Sequence, residues 1–107
     1  MRRTQSLDLL PFEAEEVLTS IGENISLARR ARGWTQRDLA AKMNVSVNTV
    51  VDLEKGRPTV AFGQVVKALW TLDRLDDLRE ATRVDRDPVI QEESLKRLPR
   101  RVRGSHG

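Results

Sequence analysis

Residues Trp34 to Pro58 read WTQRDLAAKMNVSVNTVVDLEKGRP, and the stretch parses into two short helices meeting at a tight turn. Thr35 is suited to cap a helix with Asp38 three residues on in a capping-box arrangement. The helix should run from Gln36 to Met43, with Leu39, Ala40 and Met43 inward. Asn44 follows, a non-glycine residue that tolerates the left-handed backbone a sharp turn demands. Ser46 then caps a helix reaching to about Lys55, with Val50 and Leu53 inward, and Gly56 followed by Pro58 ends it. Leu39, Met43, Val45, Val50 and Leu53 fill the contact between the two helices, and Ala40 supplies the small residue where they approach. A plain helical hairpin needs those apolar positions and nothing more. Gln36, Asn48 and the surrounding Arg and Lys residues go beyond that need.

Outward from this stretch the apolar spacing stays helical. From Phe12 to Arg32, Ala14, Val17, Leu18, Ile21, Ile25 and Ala28 recur at three and four, giving one stripe, with Pro11 suited to the first turn and Gly33 at the end. Gly22 weakens the segment by about 1 kcal/mol relative to Ala. The pattern favours one long helix over a break at Gly22 that leaves residues 12–20 as an arm. Downstream, Thr59 is placed to cap a helix over Val60 to Leu72, with Phe62, Val65, Val66, Leu69 and Leu72 inward. Asp73 is placed to cap a fifth through Leu75 and Leu78. Beyond Val84, Asp87-Pro88, Pro99 and the basic run Lys96 to Arg103 show little periodicity and read as a flexible basic tail. The expected fold class is therefore all-α: an arm or start of helix one over 1–20, a five-helix domain completed over 21–82, and a tail over 83–107.

Composition narrows the function. A chain of 107 residues suits one small domain. No run nears the roughly 18 apolar residues of a membrane span, and the N-terminus lacks the apolar core of a signal peptide, so a cytoplasmic protein without a membrane partner is expected. Cysteine is absent and His106 is the sole histidine, which excludes thiolate zinc sites and cysteine nucleophiles and leaves little for histidine catalysis. The adjacent acids Glu15/Glu16, Asp76/Asp77 and Glu92/Glu93 point about 100° apart on a helix and read as solvated faces. No glycine-rich phosphate loop occurs. No catalytic residue, metal or cofactor is expected. Charge is unevenly spread: residues 21–57 and 83–107 are net basic, residues 1–20 and 58–82 net acidic. Either basic zone, the first with Arg29, Arg30, Arg32, Arg37, Lys42, Lys55 and Arg57, the second with Lys96, Arg97, Arg100, Arg101 and Arg103, suits an anionic partner.

Residues 21–72 resemble the lambda-repressor-like, or Xre-type, helix-turn-helix domain. The resemblance rests on Ile21-Gly22-x-x-Ile25, Leu27-x-Arg29, Gly33-Trp34-Thr35-Gln36-x-x-Leu39-Ala40, Val45-Ser46, Leu53-Glu54-x-Gly56 and the helix after Pro58. It departs from the family at Asn44, where glycine is more usual. The resemblance implies that the third helix enters a DNA major groove with its N-terminal residues at base edges. Ser46, Val47, Asn48 and Asp52 would be the base contacts: Asn48 bidentate on adenine, Val47 and Val51 on thymine methyls, Asp52 accepting from cytosine. Packing of the valines against a neighbouring helix is the competing reading. Gln36, Arg37, Thr49, Lys55 and Arg57 would meet phosphates, and Glu54 would pair internally with Arg29. The resemblance also implies a homodimer on palindromic operator DNA; Leu75, Leu78, Trp70 and the Phe12–Leu18 arm are dimer-surface candidates, and core burial accounts for each of them equally well. The Gly33–Gln36 segment and the Arg97–Arg103 extension resemble, more narrowly, HipB-type antitoxins, which repress their own operon and bind a HipA-type serine/threonine kinase toxin. A stand-alone phage-like or metabolic regulator, or an adaptor that binds only protein, are the alternatives.

Overall fold

The computed structural model describes residues 10–102, with side chains through Lys96. It is helical throughout: α1 Phe12–Ala31, α2 Gln36–Met43, α3 Val47–Glu54, α4 Phe62–Thr71, α5 Leu75–Ala81, a 3-10 turn Val84–Arg86 and α6 Pro88–Val102. The chain divides into two compact units between Leu75 and Asp76.

The first unit contains the two short helices read from residues 34–58. Thr35 Oγ1 accepts from the Asp38 N–H, and the Asp38 carboxylate accepts from the Thr35 N–H, closing the expected capping box. Ser46 Oγ accepts from the Thr49 N–H at the start of α3. The first four helices all stop on one hydrogen-bonding pattern, in which two N–H groups beyond the end turn back onto carbonyls of the last turn. Gly33 and Trp34 bond to Arg30 and Arg29, Asn44 and Val45 to Ala41 and Ala40, Gly56 and Arg57 to Leu53 and Asp52, and Asp73 and Arg74 to Trp70 and Leu69. The residue at the pivot is left-handed each time, and Asn44 has φ 59° as its residue type suggested.

The core is built from Ile25 and Ala28 of α1, Leu39, Ala40 and Met43 of α2, Val50 and Leu53 of α3, and Ala68 and Leu72 at the end of α4. Leu39, Met43, Val50 and Leu72 are fully enclosed, each contributing about 1.5–3 kcal/mol relative to exposure. α1 is one continuous helix through Gly22, and the reason lies in packing. A Cβ on Gly22 would sit 2.6 Å from the Glu54 carbonyl oxygen and 2.8 Å from that of Leu53, and one on Gly56 would overlap the Leu18 carbonyl. α1 therefore lies backbone to backbone on the end of α3, and glycine is required on both sides.

Several expectations are corrected. Thr59 does not cap the fourth helix, which starts at Phe62 behind Ala61 without a side-chain cap; Val60 packs on the core, and this holds residues 58–60 in a turn. Phe62 lies in the first turn and is 68% exposed, so Ala68 and Leu72, with Val65 and Leu69 against them, carry the inward face. Asp73 is the left-handed pivot that ends α4, not the cap of the next helix. Val17 and Ile21 are exposed although the backbone beside them meets α3 at Leu18 and Gly22, because neighbouring residues on a helix point about 100° apart.

The second unit departs furthest from expectation, since residues 88–102 form a helix where the sequence suggests a flexible tail. Asp87 Oδ1 accepts from the Val89 and Ile90 N–H groups, Pro88 occupies the first helical position, and Gln91 to Lys96 is rich in helix formers, with a Glu92–Lys96 pair at i,i+4. Local capping and propensity support this helix, and Val89, Ile90 and Leu95 are exposed on it. The side chains of Arg97, Arg100, Arg101 and Arg103, like Met1 to Leu9 of the N-terminal arm, lie outside the described residues.

Gly22→Ala should lower the stability of the domain by about 1–3 kcal/mol, because the new methyl meets backbone that cannot yield cheaply. Gly63→Ala, where nothing lies within 4 Å, should be neutral or stabilising by up to about 1 kcal/mol. Urea unfolding of the two variants beside the parent protein checks both signs.

Candidate nucleic-acid interface

Three helices are tied at one buried point. The Arg29 guanidinium of α1 donates to Glu54 of α3 through Nε at 2.6 Å and Nη2 at 3.0 Å, the two-pronged geometry that makes Arg–carboxylate pairs strong. Both side chains are at most a tenth exposed. Arg29 Nη1 also donates to the Trp34 carbonyl, and Gln36 Nε2 of α2 donates to Glu54 Oε1 at 3.0 Å. Burial pushes the Glu54 carboxyl up. Hydrogen bonds from Arg29, Gln36 and Ser26, with the Arg29 charge, outweigh it and hold the group below its ordinary value. The Arg29–Glu54 pairing read from the sequence is thus present, with Gln36 added to it.

This junction fixes how α3 is presented. Val50 and Leu53 face the core, and Asn48, Asp52 and Lys55 lie on the opposite side by helical register. Ser46 and Asn48 are exposed at the N-terminal end, while Val47 packs against the core, which favours the packing reading for that valine. Thr49 is half-buried and its hydroxyl is within 3.0 Å of the Ser46 hydroxyl. At the other end Arg57 Nε lies 3.0 Å from Asp52 Oδ1. Arg37 is exposed in the first turn of α2, and Lys55 is exposed at the end of α3.

A family model described as helix-turn-helix matches residues 25–69. Over 52 residues the chain is 36% identical to an uncharacterized HTH-type transcriptional regulator, y4mF, of Sinorhizobium fredii (strain NBRC 101917 / NGR234), a match covering 49% of this chain and 68% of that relative. The chain belongs to the helix-turn-helix family. No solved structure matches it.

The family is one of DNA-binding transcription regulators and not an enzyme class. In this helix-turn-helix protein the residues assigned to bases and phosphates cluster on α3, its flanking turns and the start of α2. They are not equally available. Gln36 is committed through its amide nitrogen to Glu54, and Asp52 and Arg57, assigned to different DNA groups, are partners of each other. Basic residues of the same zone also have structural duties that charge counting does not reveal. Arg32 donates to the Ala28 and Leu72 carbonyls, and Lys42 Nζ sits 4.5 Å above the Trp34 ring, a favourable cation–ring contact. The Asp52–Arg57 pairing had a signal in the sequence: an acid and a base five apart around Gly56, the spacing this helix-ending turn brings together. Among the described residues no acidic or histidine cluster could hold a metal ion, and no helix is long and apolar enough to cross a membrane.

Glu54→Ala leaves the Arg29 guanidinium buried without its carboxylate and should destabilise the domain by about 3–5 kcal/mol at pH 7. Because the folded-state Glu54 value is lowered, its ionic contribution is complete above the unfolded value near 4.5 and is lost as pH falls through the folded value. The stability gap between parent and variant should therefore narrow below about pH 4.5. A gap from urea unfolding that stays constant from pH 7 to pH 3 would contradict the assignment.

Proposed function

We propose that the protein is a sequence-specific transcriptional repressor that binds palindromic operator DNA as a homodimer, with α3 in the major groove. The observation that carries this reading is the division of α3. Its inner residues are buried, its outer residues are polar or charged, and its orientation is set by a buried junction with α1 and α2. Ser46, Asn48 and Asp52, with Val47 at the edge, are the base-contact candidates, and Asn48 is the one whose exposure and chemistry suit an adenine edge best. Arg37, Thr49, Lys55, Arg57 and the start of α2 at Gln36 serve phosphates, setting affinity and register. One α3 covers only a few base pairs, and two-fold pairing of subunits doubles the recognised sequence. The protein acts where the DNA is, in the cytoplasm.

The narrower resemblance to HipB-type antitoxins extends the proposal to repression of the protein's own operon beside a HipA-type kinase toxin. It is supported by the sequence segments named above and by no feature of the fold. Co-purification with the product of the adjacent gene tests it separately.

The test of the main reading is fluorescence anisotropy with a duplex from the region upstream of the gene and a scrambled duplex. At least a hundredfold preference for the upstream duplex is expected. A dimer making about six to ten phosphate contacts should lose about 10³–10⁵ in affinity between 50 and 200 mM salt. Asn48→Ala should weaken the upstream complex by about 1–3 kcal/mol and leave the scrambled one nearly unchanged. Equal weakening of both would remove Asn48 from base readout, and weak, salt-insensitive binding would favour a protein-binding adaptor.

A further inference from the structure

The hydrogen-bonded turn that ends each of the first four helices brings together two residues five apart, and an apolar contact often accompanies it. At the end of α2 these residues are Ala40 and Val45, a pair of that kind. At the end of α3 they are Asp52 and Arg57, joined by the Arg57 N–H to the Asp52 carbonyl at 3.1 Å and by the ion pair at 3.0 Å. The backbone turn therefore constructs the ion pair. Its side chains are 45% and 52% exposed, so it stands in solvent at the end of the helix proposed to read DNA.

A bare arginine has four flexible side-chain torsions and attaches to a phosphate in whatever register a duplex presents. The pair is closest at Nε, 3.0 Å from Asp52 Oδ1, and the guanidinium also carries two terminal nitrogens, the fork that bridges phosphate oxygens. The paired unit carries no net charge, so it adds little to long-range attraction. We propose that Asp52 is a positioning residue for Arg57: it holds the guanidinium at the end of α3 so that a phosphate is met only when the duplex is seated in register, which suppresses binding to random DNA. This inference rests on the DNA-reading function proposed above and assigns Asp52 a role in specificity beyond any contact of its own with a base.

The full chain, Asp52→Asn, Arg57→Gln and the double variant are titrated by anisotropy against the upstream and scrambled duplexes over a salt series. Asp52→Asn should bind the scrambled duplex about three- to tenfold more tightly at 50 mM salt, with a salt slope steeper by about one, and the ratio of upstream to scrambled affinity should fall accordingly. In the Arg57→Gln background the same substitution should change scrambled binding by less than about twofold, since the released guanidinium is gone. Equal tightening in both backgrounds would show that Asp52 acts by direct repulsion of phosphates and overturn the positioning role. Unchanged or weaker scrambled binding by Asp52→Asn would overturn it as well. Absence of DNA binding by the unsubstituted protein would instead defeat the underlying functional reading, and the inference with it.

Discussion

The contact on which the rest of the first unit depends is the buried pairing of Arg29 with Glu54. A guanidinium and a carboxylate withdrawn from water lose most of their hydration, and the loss is offset only where the geometry is good and the remaining polar groups are satisfied. Both conditions hold here, through the two-pronged contact and through Trp34, Ser26 and Gln36 around it. Because these partners come from α1, α2, α3 and the loop between the first two helices, the junction specifies relative orientation more than it adds net stability. Apolar packing by Leu39, Met43, Val50 and Leu53 supplies the drive to fold but accommodates sliding. A bidentate charge pair does not.

The close approach of α1 to α3 adds a second constraint of a different kind. Gly22 and Gly56 let the two backbones meet directly, so the C-terminal end of α3 is fixed by shape next to the place where Glu54 is fixed by charge. The turn at Gly56 then leads to Arg57 and sets it beside Asp52. One short stretch of chain thus closes the helix, packs against α1 and arranges the charged end of the exposed face.

Much of this was legible in the sequence, for identifiable reasons. Thr35 with Asp38, Ser46 before Val47, and Asn44 at the turn are local signals whose physics is complete within a few residues, and the structure realises all three. The core positions of α2 and α3 followed from periodicity. Asp73 was misread because an Asp before a helix and an Asp in a left-handed turn look identical until the hydrogen bonds are known. Phe62 is exposed because it stands in the first turn of its helix, and Val17 because an apolar stripe can be wider than the strip of α1, at Leu18 and Gly22, that meets α3. The helix at Pro88–Val102 escapes a reading that takes Pro88 and Pro99 as breaks, because Asp87 caps its start and Pro88 sits at its first position. At the candidate site, residue types mark out the outer face of α3 and its flanks, while the engagement of Gln36 with Glu54 and of Asp52 with Arg57 depends on contacts that no spacing rule for DNA-binding residues contains.

The most direct measurement is a backbone amide NMR titration of the folded protein with the duplex from upstream of its gene. Perturbations concentrated at Gln36, Arg37 and residues 46–57, with Asn48 among the largest, are expected if the outer face of α3 meets DNA. Perturbations that spare α3 and fall on the exposed apolar residues of α4, Phe62 and Trp70, would contradict it and place the working surface elsewhere.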